Sequence, residues 1–199
     1  TEPVQQVLSI ISAAVQRTGQ RRSVIVHFLS EIWSWIVAVS ILAQTYHTAK
    51  EQRNVRGVQA IEDYLRQIGI VVSDKKWRFR SKIAAFLGKQ FAEVRKGSAD
   101  FVEQRQVLLG RLQSEVFHRA RREADERLDA THGLSLVLLD SPDTFDLAQA
   151  ASYEALIKCL VRTAQDAATS HVLAKASIPS EIRSYVTEFH PDRMGEREL

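Results

Sequence analysis

The chain of 199 residues has a single cysteine, Cys159, and only four prolines, and both scarcities narrow what it can be. One cysteine closes no internal disulfide and builds no Cys/His zinc array. Its ALIKCLV surroundings mark it as a small buried hydrophobe rather than a reactive thiol. The prolines stand at Pro3, Pro142, Pro179 and Pro191, so the interval from Val4 to Ser141 lacks the strongest helix breaker and helix should dominate it. There is no P-loop, dinucleotide glycine fingerprint or Ser nucleophile elbow. The opening TEPVQQVLSI lacks the basic-then-apolar order and small-residue cleavage site of a signal peptide, although Arg21 and Arg22 before an apolar run imitate one. A charge excess is missing too: the net charge is +3, so any contact with a polyanion must come from local clustering.

At 45% hydrophobic and 26% charged residues the chain has the composition of a globular protein, which excludes full disorder. We expect one helical domain over residues 1–189, with 190–199 a flexible polar tail. The most informative stretch is Val24 to Tyr46, VIVHFLSEIWSWIVAVSILAQTY. It is long enough to cross a membrane. Yet Trp33 and Trp35 lie near its middle, where spanning helices rarely place tryptophan, and an ionised Glu31 in hydrocarbon would cost on the order of 2 to 4 kcal/mol. No second apolar segment of similar length offers Glu31 a partner. The expectation is therefore the central helix of a bundle, with membrane insertion as the alternative.

Apolar spacing divides the remainder. Val4, Val7, Leu8, Ile11, Ala14 and Val15 share one helical face ending at Gly19, and Ser23 is placed to cap the apolar helix. That helix runs to His47 or beyond, and Val55, Val58, Ile61 or Glu62, Leu65 and Ile68 extend its stripe to Gly69, so the two segments can be read as continuous. Ser73-Asp74 is an N-cap for a helix from about Lys75 to Lys96 ended by Gly97. Ser98 caps the next, a long exposed helix with Val102, Leu109, Leu112, Val116, Ala120, Ala124 and Leu128 on a slowly drifting stripe up to Gly133. Leu134 to Leu139 has the composition of a strand but no clear partner strand, so we read it as extended packing or a helical turn. Ser141-Pro142-Asp143 starts an alanine-rich helix through Ala164, and a last short helix follows Pro179. The fold class expected is all-α, a multi-helix bundle of about five to seven helices.

The strongest chemical cluster is DKKWRFRSKIAAFLGKQFAEVRK. There Lys75, Lys76, Arg78, Arg80, Lys82, Lys89, Arg95 and Lys96 face only Asp74 and Glu93, a local excess of about six positive charges. Such cations neutralise phosphates, and Trp77 or Phe79 can stack on unpaired bases. Lys75, Lys76, Trp77, Arg78, Phe79, Arg80, Lys82 and Lys89 are therefore the candidate nucleic-acid site. The same chemistry suits an anionic membrane or an acidic protein. In the plainest alternative Trp77, Phe86, Leu87 and Phe91 are core and the cations solvate the outer face. In RARREADERLD, Arg119, Arg121 and Arg122 are spaced to meet Glu123, Asp125 and Glu126 at i,i+4, which suits a solvated face or a charged assembly interface. Arg111, Arg119 and Arg122 are further candidate phosphate ligands.

Signals for enzymatic chemistry are sparse. Glu115-x-x-His118 has the spacing of a ferritin-like ligand pair, but no second Glu-x-x-His answers it. His27 and Glu31 share a face at i,i+4 and are read as a buried polar pair, since a metal needs a third ligand. Arg22-x4-His27, Arg111-x6-His118 and Arg127-x4-His132 fit the loose spacing of helical HEPN ribonucleases, with Arg127 and His132 the most suitable pair because they precede a helix-ending glycine. His190-Pro191-Asp192 resembles the HPD signature of J-domain co-chaperones, and EIRSYVTEF before it is similar to the end of their second helix. The chain stops short of the third helix that braces that motif. The expectation is a non-enzymatic, cytoplasmic binding or assembly module without cofactor. Its partners would be RNA or DNA phosphates and a second copy of the chain, met through the 98–131 helix. The alternatives are a membrane-associated helical effector or anchor and a HEPN-like ribonuclease.

Overall fold

The computed structural model describes residues 22–70, 76–97, 100–133, 135–140, 159, 161–165 and 171–177. The molecule is all-α in character, a multi-helix bundle with, among the described residues, one small parallel strand pair. Helix α1 spans Arg22–Glu51, α2 Gln59–Gln67, α3 Lys76–Gly97, α4 Phe101–Leu112 and α5 Glu115–Thr131. Strands β1 (Ser135–Asp140) and β2 (Val172–Ser177) pair in parallel, from Ser135 opposite Val172 to Asp140 opposite Ser177. Expected segments at 4–18 and after Pro179, the HPD motif and the 190–199 tail lie outside the described residues.

The long apolar helix is the centre of the bundle: α1 touches α2, α4, α5 and β1. Phe28, Ile32, Trp35, Val39, Leu42, Tyr46 and Ala49 recur at three- and four-residue intervals along it and are all buried in one core. Of the two central tryptophans, Trp35 is the core residue and Trp33 is half-buried. Trp35 lies over the Phe86 ring of α3 with centroids 5.8 Å apart, and Phe28 meets Phe91 edge-on at 6.2 Å. Helix α2 adds Ile61, Tyr64 and Leu65 to the core, and α5 adds Phe117, Ala120 and Ala124, whose small alanines let α2 approach closely.

Three expectations are corrected. The stretch from Val24 to Gly69 is two helices. After α1 the Arg53 backbone turns left-handed (φ +53°), with Asn54 N–H donating to Ala49 O at 2.9 Å and Arg53 N–H to Lys50 O at 3.1 Å. This is a Schellman closure that no helix can continue through. The 98–131 helix is also two. Ser114 takes an extended backbone and its hydroxyl accepts from Phe117 N–H, so α5 restarts and brings Phe117 back to the core side. The slow drift of the apolar stripe in the sequence is the trace of this restart. Asp100 caps α4 by accepting from Glu103 N–H at 3.2 Å.

Finally, Leu134 to Leu139 contains a true strand. Its partner, VLAKAS, lacks aromatic and mostly lacks β-branched residues, and alanine and lysine hid it. A parallel pair needs a crossover, and the helical backbone at 159 and 161–165 lies within it. Cys159 is fully buried there, as expected.

Candidate nucleic-acid interface

Helix α3 is positioned by Ile83, Leu87, Phe91 and Val94, buried at spacings of four, four and three. Phe79 and Phe86 are half-buried and pack against the same core. Lys82 and Lys89 therefore sit on a helix whose packed face is fixed. Lys82 is half-buried and Lys89 exposed, and Lys96 continues them at a second interval of seven residues. Seven residues are nearly two full turns, so these lysines follow one side of the helix at steps of roughly 10 Å.

Glu93 is the only acid within α3. Its carboxylate lies 4.0 Å from Lys89 Nζ and accepts from Arg111 Nη1 of α4 at 2.9 Å, while Gln90 accepts from the same Arg111 nitrogen at 3.2 Å. Arg111, a candidate phosphate ligand by sequence, thus clasps α4 to α3.

Backbone register does not put all the candidates together. Lys76 and Arg80 fall in the register of Ile83, Leu87 and Phe91, whereas Arg78 precedes Lys82 by one turn on the lysine side. Trp77 lies on the first turn, and Lys75 lies outside the described residues. Of the two aromatics proposed to stack on bases, Phe79 is half-buried and packs against the core.

Elsewhere the charges take partners that spacing did not foretell. Glu31 accepts from Arg105 of α4 through Nη2 at 2.8 Å and Nε at 3.1 Å, with His27 at 3.7 Å. The expected His27–Glu31 buried pair is thus a half-buried group of three. Glu123 does not meet Arg119. Its Oε2 accepts from Ala60 and Ile61 N–H at 2.8 and 3.2 Å, capping α2 from another helix. Arg119, Arg121 and Arg122 are exposed and form no ion pair among the described residues.

Glu115 and His118 are exposed on α5, and among the described residues no three His, Cys, Asp or Glu side chains gather to hold a metal. Arg127 turns towards the α1–α2 loop, with Nη1 3.4 Å from Arg56 O and Nη2 3.5 Å from Gln52 Oε1. His132 closes α5 in the left-handed region (φ +47°). The histidine that sequence spacing missed is His171, whose Nε2 lies 2.6 Å from Asp129 Oδ1 and ties the start of β2 to the end of α5.

Two ionisations are shifted in ways that bear on reactivity. Burial pushes the Cys159 thiol up to about 11, against a smaller downward pull from the Ser30 and Thr163 hydroxyls. It is protonated and inert at neutral pH. The bond from Arg66 holds the Glu62 carboxyl below its ordinary value, helped by Tyr46. No protein-family model, curated protein or solved structure matches this chain.

Proposed function

We propose that the chain is a non-enzymatic helical binding module that engages nucleic-acid phosphates along the outer side of α3. The observation that carries this reading is the alignment of Lys82, Lys89 and Lys96 on one side of a helix whose other side is packed into the core. The core fixes the backbone that carries these cations, so only their side chains need ordering when they meet a polyanion, and Glu93 is the one acid within α3. Lysine point charges that track a backbone suit sequence-independent phosphate contact.

Fluorescence anisotropy with labelled single-stranded RNA and DNA, read as a function of salt, tests this. Replacing Lys82, Lys89 and Lys96 by glutamine should weaken binding and reduce the log-log salt slope by about 0.7 to 0.9 for each phosphate no longer neutralised. Neutralising Lys76, Arg78 and Arg80 together with Lys75 measures the contribution of the first turns. Trp77→Ala loses about 1 to 3 kcal/mol only if that ring stacks on a base. Unchanged binding by a folded variant lacking both sets of cations removes the interface. Tight binding to anionic vesicles with none to nucleic acid transfers α3 to the membrane reading.

A further inference from the structure

We infer that the loop between α1 and α2 is a second phosphate-binding element, in which Arg53 and Arg56 grip the backbone of a single nucleic-acid strand. This rests on the reading that the chain binds nucleic acid, but on residues remote in sequence from the α3 lysines.

The backbone at Arg53 is the first sign. The Schellman closure of α1 requires a left-handed residue after the helix, a conformation in which a side chain with a Cβ is strained. The molecule solves the same problem after α2 with Gly69 (φ +77°), where Gly69 N–H donates to Arg66 O at 3.0 Å and Ile70 N–H to Leu65 O at 2.8 Å. After α1 it places arginine at φ +53°, as it places His132 at φ +47° after α5, so the strain at Arg53 is accepted rather than avoided. The helix dipole does not explain that choice, because Lys50 already supplies a cation in the last turn.

Both arginines are also available. Residues 52–57 are all exposed, and neither Arg53 nor Arg56 makes a side-chain hydrogen bond or ion pair among the described residues. The neighbouring acid, Glu51, is engaged by His47 at 3.1 Å. Two guanidinium groups therefore stand unneutralised on one short turn.

The backbone that carries them is held. Gln52, Arg53 and Asn54 N–H groups all return to carbonyls of the last turn of α1, at 3.0, 3.1 and 2.9 Å. Arg127 reaches Arg56 O at 3.4 Å and Gln52 Oε1 at 3.5 Å and adds a third positive charge beside the loop. Planar guanidinium forks on a held backbone are the donors suited to bidentate phosphate contact, where the α3 lysines act as point charges.

The test uses the full chain and a fluorescein-labelled oligouridylate, with Arg53→Gly and Arg56→Gln combined in one variant and the three α3 lysines replaced in another. Arg53→Gly relieves the left-handed strain while removing the cation, so its melting temperature should rise as affinity falls. A purely structural role for Arg53 would not separate the two in that direction. The loop variant should lower the salt slope by about 1.4, two phosphates at roughly 0.7 each on a single strand. The same decrement should reappear when the loop changes are added to the α3 variant. Wild-type binding that is abolished in the α3 variant but unchanged in the loop variant overturns this inference and leaves the α3 interface standing. If the wild-type chain does not bind the oligouridylate at low salt, both fall.

Discussion

Trp35 shows how one side chain can close a helix it does not belong to. Leu112 ends α4, so its carbonyl has no partner within that helix. It accepts from Trp35 Nε1 at 3.0 Å and from Tyr64 Oη at 3.0 Å, while the same indole N–H is shared with Tyr64 Oη at 2.7 Å. Three helices thus meet on one buried carbonyl. Burial raises the Tyr64 phenol well above its ordinary range, so it stays a donor at any ordinary pH. Trp35→Ala should cost about 3 to 5 kcal/mol in urea unfolding, the loss of a fully buried ring, whereas the half-buried Trp33 should cost much less when truncated. Tyr64→Phe should cost only about 1 kcal/mol, because Trp35 still satisfies Leu112. Equal losses for Trp33→Ala and Trp35→Ala would contradict this assignment of the core tryptophan.

Cys159 gives the residue scale its pH dependence. A thiol whose folded-state value is raised from 9.0 to about 11 holds its proton more tightly when folded. Its contribution is therefore fully present below about pH 9 and is lost as pH rises through about 11, an effect of roughly 2 to 3 kcal/mol. Tyr46, raised chiefly by burial and then by its bond to Glu62, acts in the same direction at alkaline pH. Denaturation midpoints should fall between about pH 8.5 and 11, and Cys159→Ala should flatten that fall. Glu62 works at the other end. Its depressed carboxyl supports the fold above its ordinary value and ceases to do so as pH drops through the lowered one.

Among the elements, α2 depends on a carboxylate from elsewhere. Val58 at its N-cap offers no side-chain acceptor, and the first N–H groups are met by Glu123 of α5. Glu123→Ala should therefore destabilise by about 1 to 2 kcal/mol, and Glu123→Gln, which keeps an acceptor without the charge, by less. A loss below a few tenths of a kcal/mol in urea melts would show that water caps α2 equally well. This bond also marks the limit of legibility. Helix faces that repeat every three or four residues, as in α1, α3 and α5, could be read from spacing because burial and periodicity are local. Glu123 reads locally as the i,i+4 partner of Arg119. Only the packing of α2 on α5 makes two unpaired backbone N–H groups the stronger claim on it. The β1–β2 pair was hidden for a related reason, since pairing is non-local and Ala174, Lys175 and Ala176 carry helix-like propensities. Within the candidate interface the clustering of charge was visible, but the packing of Phe79 against the core was not.

At the scale of the whole molecule, the question is what solvent α1 is built for. The segment His27–Glu51 has the length and a mean hydropathy of 1.3 that would let it cross a bilayer. In this fold its apolar face is covered by helices, and Glu31 finds Arg105 rather than lipid. A bundle that spends its central helix on its own core would have to open α2, α4 and α5 to insert it, exposing the buried faces of Leu65, Leu108 and Phe117. Arg105→Ala, which strands a half-buried carboxylate, should destabilise by about 1 to 3 kcal/mol. Arg105→Lys should recover only part of that, because the Nε and Nη2 bonds belong to a planar fork. Vesicle experiments address the solvent directly. With anionic vesicles carrying brominated acyl chains, the emission of the buried Trp35 should remain unquenched even where α3 binds the lipid surface, with Trp33→Phe and Trp77→Phe used to isolate that signal. Quenching of Trp35, strengthened in Arg105→Ala, would mean that α1 leaves the core for the bilayer and that the bundle is its storage form.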